Sequence, residues 1–202
     1  MPVTINGDGS ITGLAVGGLP DGSVDADTLA SNAVTSAKLA SGAITSSALS
    51  AGSVIQVVSF TTQTKTTINQ GTTFMDTGVT ATITPQFSSS KILILTYHSV
   101  NFSNFAGNGD TGGWSIRLLR GNTVIKNGST NGSDHYISVP AESSYIVFND
   151  PDFMQHFDSP NTTSAVTYKT QANQSNSEIG VNINNNQNSN VDSSMILMEI
   201  SA

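Results

Sequence analysis

The chain has 202 residues, of which only 10% are charged, and fourteen acidic against seven basic residues give a net charge of −7. This excess of negative charge argues against nucleic acid and anionic membrane surfaces as partners, because both are bound through basic faces. There is no cysteine, which excludes disulfides and thiolate metal sites.

The N-terminal stretch TINGDGSITGL predicts a tight hairpin, because Asn-Gly and Asp-Gly favour short turns between strands, and GGLPDGS predicts a second turn. The first residues lack the basic and apolar regions of a secretory signal. The longest apolar run, ILIL at residues 92–95, is too short to span a membrane. We therefore expect synthesis in a cytoplasm and no membrane insertion.

Large aliphatic residues recur at every fifth position of the next segment, with mostly small residues between them. The positions are Leu14, Leu19, Val24, Leu29, Val34, Leu39, Ile44, Leu49 and Val54. Leu alternates with a β-branched residue from Leu19 onward, so the unit is ten residues, as in LASNAVTSAK and LASGAITSSA. Neither an α-helix nor a straight strand keeps this period on one side. The residue types favour short extended pieces that alternate with single helical turns capped by Ser or Thr.

One copy of the repeat has too little apolar surface to bury its own large residues. A pentapeptide-type solenoid takes about four repeats for each coil, so this segment would form fewer coils than such folds need. A flexible linker would not keep aliphatic residues in strict register. We expect instead a bundle of three chains around a shared axis. The axial residues would be Leu29, Val34, Leu39, Ile44 and Leu49.

From residue 55 the chain consists of short β-rich runs separated by Gly-, Asn- and Ser-rich turns. The runs are SVIQVVSFTT, TGVTATITP, SKILILTYHSV, GGWSIRLLRG, NTVIKNG, ESSYIVFND, TTSAVTYKTQA, SEIGVNINN and SSMILMEIS. These runs, without a helical pattern, predict a β-sandwich of the jelly-roll type, with Trp114 in its core or at a subunit contact. The predicted fold is therefore all-β, with an attachment hairpin at 1–22, a stalk at 23–54 and a head at 55–202.

The sequence resembles the tail-fibre proteins of marine phages, notably those that infect cyanobacteria, over essentially its whole length. The matching stretches are MPVTINGDGSITGLAVGGLPDGSVDADTLA, AVTSAKLASGAIT, SVIQVVSFT, SKILIL, SIRLLRG, FDSPNTTSAVTYKTQ and SSMILMEI. The resemblance implies a homotrimer with a thin stalk and a globular tip similar to tumour necrosis factor-like and complement-like heads. It also implies a place on the tail or capsid surface of a virion, with the N-terminal segment bound to another virion protein.

The residues that could carry chemistry are few. The three histidines have no metal-ligand spacing. His98 lies in a predicted strand and reads as a structural residue, whereas His135 and His156 lie in or beside predicted loops. Pro151 between Asp150 and Asp152 indicates a plain turn rather than a catalytic pair or calcium site. We therefore expect no cofactor, no metal and no enzymatic activity.

Predicted loops near residues 104–113, 127–135 and 149–158 supply the residue types that suit recognition of a sugar. The candidate receptor-binding residues are Asn131, Asp134, His135, Tyr136, Asp152 and His156. We expect a fibre whose head binds a host-surface glycan or protein. Two alternatives stay open: a capsid-decorating or tail-adaptor spike without receptor binding, and a fibre-borne depolymerase, which the missing acid–base constellation disfavours.

Overall fold

The computed structural model describes residues 3–8, 11–13, 24, 29–45, 48–68, 71–104, 111–128, 135–138, 146–175, 179–186 and 189–202. The chain divides into two compact units, Met1–Thr45 and Ser46–Ala202. Regular structure in the described residues consists of antiparallel strands and a short 3-10 helix, so the predicted all-β class is confirmed.

The N-terminal hairpin is present in the first unit. Strand β1 (Thr4–Ile5) pairs antiparallel with β2 (Ile11–Thr12), which places Ile5 opposite Ile11. The second predicted turn, GGLPDGS, lies outside the described residues, as do the repeat positions Leu14 and Leu19.

The ten-residue repeat folds into a recurring backbone turn. A hydrogen bond of 2.9 Å from the fourth residue's N–H to the first residue's C=O closes each of the turns 30–33 and 40–43. The third residue of each turn, Asn32 or Gly42, has a positive φ of 64° or 78°. Asparagine and glycine are the residues that adopt this conformation most readily, so the sequence selects the turn once in every unit.

In the stretch 29–45 that the structure describes, a 3-10 helix lies at Ser36–Lys38, between extended residues Thr35 and Leu39. The expected Ser/Thr cap is wrong here, because Thr35 makes no side-chain hydrogen bond to the helix. Two i→i+3 bonds, from the Lys38 N–H to the Thr35 carbonyl at 2.9 Å and from the Leu39 N–H to the Ser36 carbonyl at 3.2 Å, close this turn without a side-chain cap. The Lys38 Nζ instead donates to the Ala33 carbonyl at 2.7 Å, which ties the helix to the preceding turn.

The second unit is a β-sandwich of two facing antiparallel sheets. The six-stranded sheet contains β3 (Val54–Thr62), β4 (Thr66–Ile68), β6 (Lys91–Asn104), β10 (Ile146–Asp158), β12 (Ile179–Ile183) and β15 (Ser193–Ile200). The five-stranded sheet contains β5 (Gly71–Ile83), β7 (Thr111–Arg120), β8 (Thr123–Lys126), β9 (His135–Ser138) and β11 (Val166–Gln174). A short pair, β13 (Asn185–Asn186) with β14 (Ser189–Asn190), completes the described strands.

Strand order places β6 at the centre of the first sheet and β7 near the edge of the second. The orders are β3-β15-β6-β12-β4, with β10 along the other side of β6, and β5-β11-β7-β8, with β9 also on β7. Alternate residues of both sheets fill the space between them, including the fully buried Phe102, Trp114 and Tyr168. Trp114 therefore lies in the core, which is one of the two places predicted for it.

The sequence predicts a loop near residues 149–158, and this prediction is wrong, because these residues belong to strand β10. Pro151 lies within the strand, opposite Ser99 of β6, and the plain turn expected around it is absent. Among the described strands β10 pairs only with β6 and so forms an edge of its sheet. A residue without an N–H group is tolerated at an edge because the outer side of the strand needs no ladder partner. His156 is therefore a strand residue as well.

A third copy of the repeat turn belongs to the head. In the turn formed by residues 50–53, the Gly52 N–H donates to the Ser201 carbonyl at 2.9 Å, and the Ser201 N–H donates to the Ser53 carbonyl at 2.9 Å. Gly52 has a φ of 86°, as expected for the position equivalent to Gly42. These bonds to the C-terminal end explain why the second unit begins at Ser46, before the boundary at residue 54 predicted from composition.

Candidate functional site

The predicted axial residues of the repeat are exposed in the single chain. Relative exposure is 46% for Leu29, 56% for Val34, 42% for Leu39 and 48% for Ile44, whereas Leu49 is half-buried. In residues 29–45, which the structure describes, the backbone hydrogen bonds close local turns, and these aliphatic side chains are left uncovered in the single chain. A regular row of exposed aliphatic residues is a surface that another chain can cover.

The head carries a second exposed apolar surface, on the outer side of the six-stranded sheet, which we call the apolar face. Its exposed residues are Val57, Phe153 and Phe157, and its half-buried residues are Leu93, Leu95, Tyr97, Ile196 and Met198. Strand register places these residues in rows across four strands. One row runs Val57–Met198–Leu93–Phe157, and another brings the rings of Tyr97 and Phe153 to a centroid distance of 5.0 Å.

The outer side of the five-stranded sheet has the opposite character. Most of its residues on β5 and β11 are polar, namely Asp76, Thr80, Thr82, Thr167, Lys169 and Gln171, and the ring of Phe74 is covered by the Arg117 guanidinium at 4.0 Å. Thr82 bonds to Thr167 at 2.7 Å, and Lys169 reaches Asp76 at 3.0 Å. Antiparallel sheets of a sandwich normally present such a polar side to water. The apolar face of the other sheet departs from this pattern.

The sandwich has two distinct ends. The junction end holds residues 50–53 beside Ser201, and here Lys91 of β6 lies opposite Ile200 of β15. The other end, which we call the distal end, is where β6 finishes at Asn104 opposite Ile146 of β10. Strand register thus orders the described residues of β6 and its partner strands between these two ends.

The predicted receptor-binding residues separate along this direction. Asn131 and Asp134 lie outside the described residues. His135 and Tyr136 belong to β9, which pairs with the first residues of β7 at the distal end, and Tyr136 is 61% exposed. Asp152 lies opposite His98 near the middle of β6, and His156 lies opposite Ile94 toward the junction end. The structure therefore brings His135 and Asp152 together but not His156.

The most polar cluster of the distal end is built around the His135 ring. Its Nδ1 lies 2.8 Å from Asp150 Oδ2 and its Nε2 lies 2.9 Å from Asp152 Oδ2. The ring also stacks on Trp114, with a centroid distance of 4.7 Å and an interplanar angle of 7°. Asp152 Oδ1 is in turn 3.8 Å from Nδ1 of the buried His98. Two carboxylates from β10 thus hold one imidazole from the opposite sheet.

The surroundings shift the pKa values of the two histidines of this cluster in opposite directions. Partial burial of His135 opposes its charge, but the hydrogen bonds and charges of Asp152 and Asp150 raise its pKa above the ordinary 6.5. Burial lowers the pKa of His98 to about 4, so this ring is neutral near pH 7. His98 Nε2 lies 2.8 Å from Thr170 Oγ1 in the core. The expectation that His98 is a structural residue agrees with this position.

Two further cationic side chains connect the five-stranded sheet to β10. Lys126 Nζ donates to the Gln155 carbonyl at 2.9 Å, beside an open groove of about 480 Å³ lined partly by Phe153 and Met154. Arg120 donates to Asp158 at 3.0 Å, and the Tyr168 hydroxyl donates to the same carboxylate at 2.7 Å. Burial and the neighbouring carboxylate raise the pKa of Tyr168. Sequence reasoning missed this series of links because its members lie far apart in the chain.

Other kinds of site are not seen in the parts of the chain that the structure describes. No three His, Asp or Glu side chains among these residues are arranged to hold a metal ion. No helix of the described residues is long and apolar enough to cross a membrane.

Comparisons with known proteins give no family for the chain. No family model matches it, and no curated protein matches it. Among solved structures it is similar to the crystal structure of dimeric latent PorU from Porphyromonas gingivalis, with 12% sequence identity and a TM-score of 0.29. That similarity covers 75% of this chain and spans only 14% of the PorU chain.

Proposed function

We propose that this chain is the subunit of a homotrimeric virion fibre whose head binds the surface of a host cell. The observation that carries the proposal is the row of exposed aliphatic residues repeated along the first unit. The apolar face of the head supports it independently, because it is a second apolar surface that one chain leaves open. The resemblance to phage tail-fibre proteins accounts for both surfaces and supplies the expected number of chains.

The threefold assembly would bury both surfaces in the same complex. Each chain contributes one row of large residues, and three rows meeting at an axis would shield one another from water. The apolar face would pack against neighbouring heads in the same way. Light scattering of the purified full chain should give three times the 21.0 kDa chain mass. A monomer at micromolar concentration would contradict the proposal.

Recognition would lie at the distal end of the head. The junction end continues into the repeat, and the apolar face is assigned to neighbouring subunits. The distal end carries Tyr136, an exposed aromatic residue suited to stacking on a sugar ring, beside the polar groups of His135 and Asp150. His135 engages both carboxylates of the cluster, so we propose a binding role rather than a catalytic one.

Cell binding by the labelled full-length protein tests this placement. Tyr136→Ala should weaken adsorption to susceptible cells roughly tenfold or more, since multivalent attachment multiplies the loss at each of three sites. His156→Ala is the matched control, because His156 lies toward the junction end of the same head and should leave adsorption unchanged. A folded trimer that neither binds cells nor competes with the virus would favour a capsid-decorating or tail-adaptor spike.

A further inference from the structure

Strand β9 is a short element, and among its described side chains His135 makes the hydrogen bonds to the opposite sheet. Its four residues pair with Thr111–Trp114 of β7 at the edge of the five-stranded sheet. From there His135 reaches across to Asp150 and Asp152 of β10. The ring therefore joins the edges of the two sheets where the sandwich would otherwise be open.

The geometry of His135 suits the protonated ring. An ionised carboxylate only accepts hydrogen bonds, so a ring that bonds to two ionised carboxylates, at 2.8 and 2.9 Å, needs an N–H on each nitrogen. A neutral imidazole has one N–H, so only the imidazolium can donate a hydrogen bond to both carboxylates at the same time. Stacking on Trp114 at 4.7 Å also favours a cation, because the face of an indole attracts positive charge.

We propose that His135 is a proton-operated latch that closes the β9–β10 edge of the sandwich. When the ring is protonated it donates to both carboxylates and fixes β9 to β10. When it loses the proton, one ring nitrogen presents a lone pair to a carboxylate oxygen less than 3 Å away, and that contact becomes repulsive. The strand is then held by its pairing with β7 without the contact to β10, so it opens more often.

The titratable and charged groups on the neighbouring strands support the assignment of the latch to His135. The groups from β10 are the acceptors Asp150 and Asp152, and β7 contributes the uncharged Trp114. From β6, His98 faces Asp152 at 3.8 Å but is neutral near pH 7 because of its burial. Lys126 of β8 lines the same groove as Asp152 and bonds to the Gln155 carbonyl. His135 is thus the titrating cation that the two carboxylates engage directly.

The sign of the pH dependence follows from the raised pKa of His135. The latch contributes its full stability below the ordinary histidine pKa of 6.5 and loses it as the pH rises through the folded-state pKa. His98 acts in the opposite sense, since its lowered pKa makes the whole head less stable as the pH falls from 6.5 toward 4. The two effects differ in place as well: His135 acts on β9, whereas His98 acts on the core.

The experiment is a titration of the full-length protein with isotopically labelled histidine, followed by NMR, with hydrogen exchange of β9 measured over the same pH range. The chain has only three histidines, so His135→Gln and His156→Gln assign the signals. We expect a midpoint above 6.5 for His135. Exchange of residues 135–138, corrected for its intrinsic pH dependence, should rise above that midpoint. The rise should be roughly tenfold for each pH unit by which the midpoint exceeds 6.5. Exchange of the core strand 193–200 should not change.

Two variants separate the latch from a general loss of structure. In His135→Gln the ring is replaced by a neutral amide, so β9 should exchange at the faster level at every pH while the core stays protected. Asp150→Asn keeps the ring and removes one charge, so it should move the midpoint toward 6.5 even if His135→Gln folds poorly. His156→Gln should change neither quantity. A His135 midpoint at or below 6.5, or β9 exchange that ignores the midpoint, overturns the proposal.

Discussion

The two units of this chain contain the same types of large aliphatic residue, but one unit buries them and the other exposes them. In the head, residues such as Ile92 and Leu118 are fully buried, whereas Val34 and Leu39 of the repeat are 56% and 42% exposed. The long strands of the head fold back and pair in two facing sheets, so residues far apart in the sequence cover each other. In the described part of the repeat, residues 29–45, the backbone forms i→i+3 turns and a one-turn helix, which connect residues close in sequence. Burial is therefore set by whether the backbone folds back on itself, and the large residues of this stretch stay exposed in the single chain.

The same contrast occurs within a single strand, β15, and gives the largest predicted effect. Leu197 is fully buried in the core, and its neighbour Met198 points to the apolar face. Leu197→Asp places an unpaired carboxylate in the core and should cost more than about 4 kcal/mol, enough to prevent folding. Met198→Asp should keep the β-type circular dichroism spectrum and dissociate the trimer. Loss of folding in both variants would remove the distinction between core and assembly face.

The repeat offers a milder version of this test. Leu39→Asp would place three like charges at one level of the proposed axis, where they are poorly hydrated and repel one another. We expect a cost of roughly 1–3 kcal/mol per chain in trimer stability. The control is Ser36→Asp, at an exposed position of the 3-10 helix, which should be close to neutral. Dissociation on heating, followed by light scattering, measures both. Equal destabilisation by the two variants would contradict the axial assignment.

The sequence predicts most strands of the head because their buried residues alternate with polar ones. The first part of strand β10 lies in the predicted run ESSYIVFND, but its second part, residues 151–158, was not predicted because its pattern is inverted. Phe153 and Phe157 point outward to the apolar face while Asp152 and Asp158 point inward, and Pro151 suggests a turn. A strand that is apolar on its outer side can be recognised only after its partner is known. Strands β4 and β9 are too short for any alternation to be seen.

The candidate site was less accessible to sequence reasoning than the fold. His135 and Tyr136 were selected by residue type alone, and nothing in the spacing indicates that His135 meets Asp150 and Asp152. That contact depends on β9 and β10 belonging to different sheets that face each other. The sequence does carry a signal for the repeat turn. Asn32, Gly42 and Gly52 recur every ten residues, and this recurrence marks the positive-φ position of each turn.

That turn position gives the third prediction. No atom lies within 4 Å of a Cβ built on Gly42, so a side chain meets open space and its cost is conformational. Gly42→Val should destabilise the trimer by about 1–2 kcal/mol per chain, since a β-branched residue resists positive φ. Gly42→Asn should cost less, because asparagine occupies the equivalent position at Asn32. Thermal dissociation of the two variants compares them directly. Identical melting would mean that the turn does not keep this backbone in the assembled fibre.

The smallest effect is expected on the polar outer side of the five-stranded sheet, where Asp76 accepts bonds from Lys169 at 3.0 Å and Gln171 at 2.7 Å. Partial burial of Asp76 opposes ionisation, yet these bonds and the charges of Lys169 and Arg117 hold its pKa below 3.8. Its contribution is therefore present above pH 3.8 and is lost as the pH falls through the folded-state pKa. Because Asp76 is exposed and screened by solvent, Asp76→Asn should cost at most about 0.5 kcal/mol at pH 7 in urea unfolding at low salt.

The same variant tests which sheet faces water. With the polar side free, Asp76→Asn should leave the trimer intact at every pH, and its small effect on unfolding should disappear in acid and in high salt. Met198→Asp, on the other sheet, should dissociate the trimer under all of these conditions. If instead Asp76→Asn dissociated the trimer and Met198→Asp did not, the subunit contact would lie on the polar sheet. The apolar face would then have to be covered by something other than a copy of this chain.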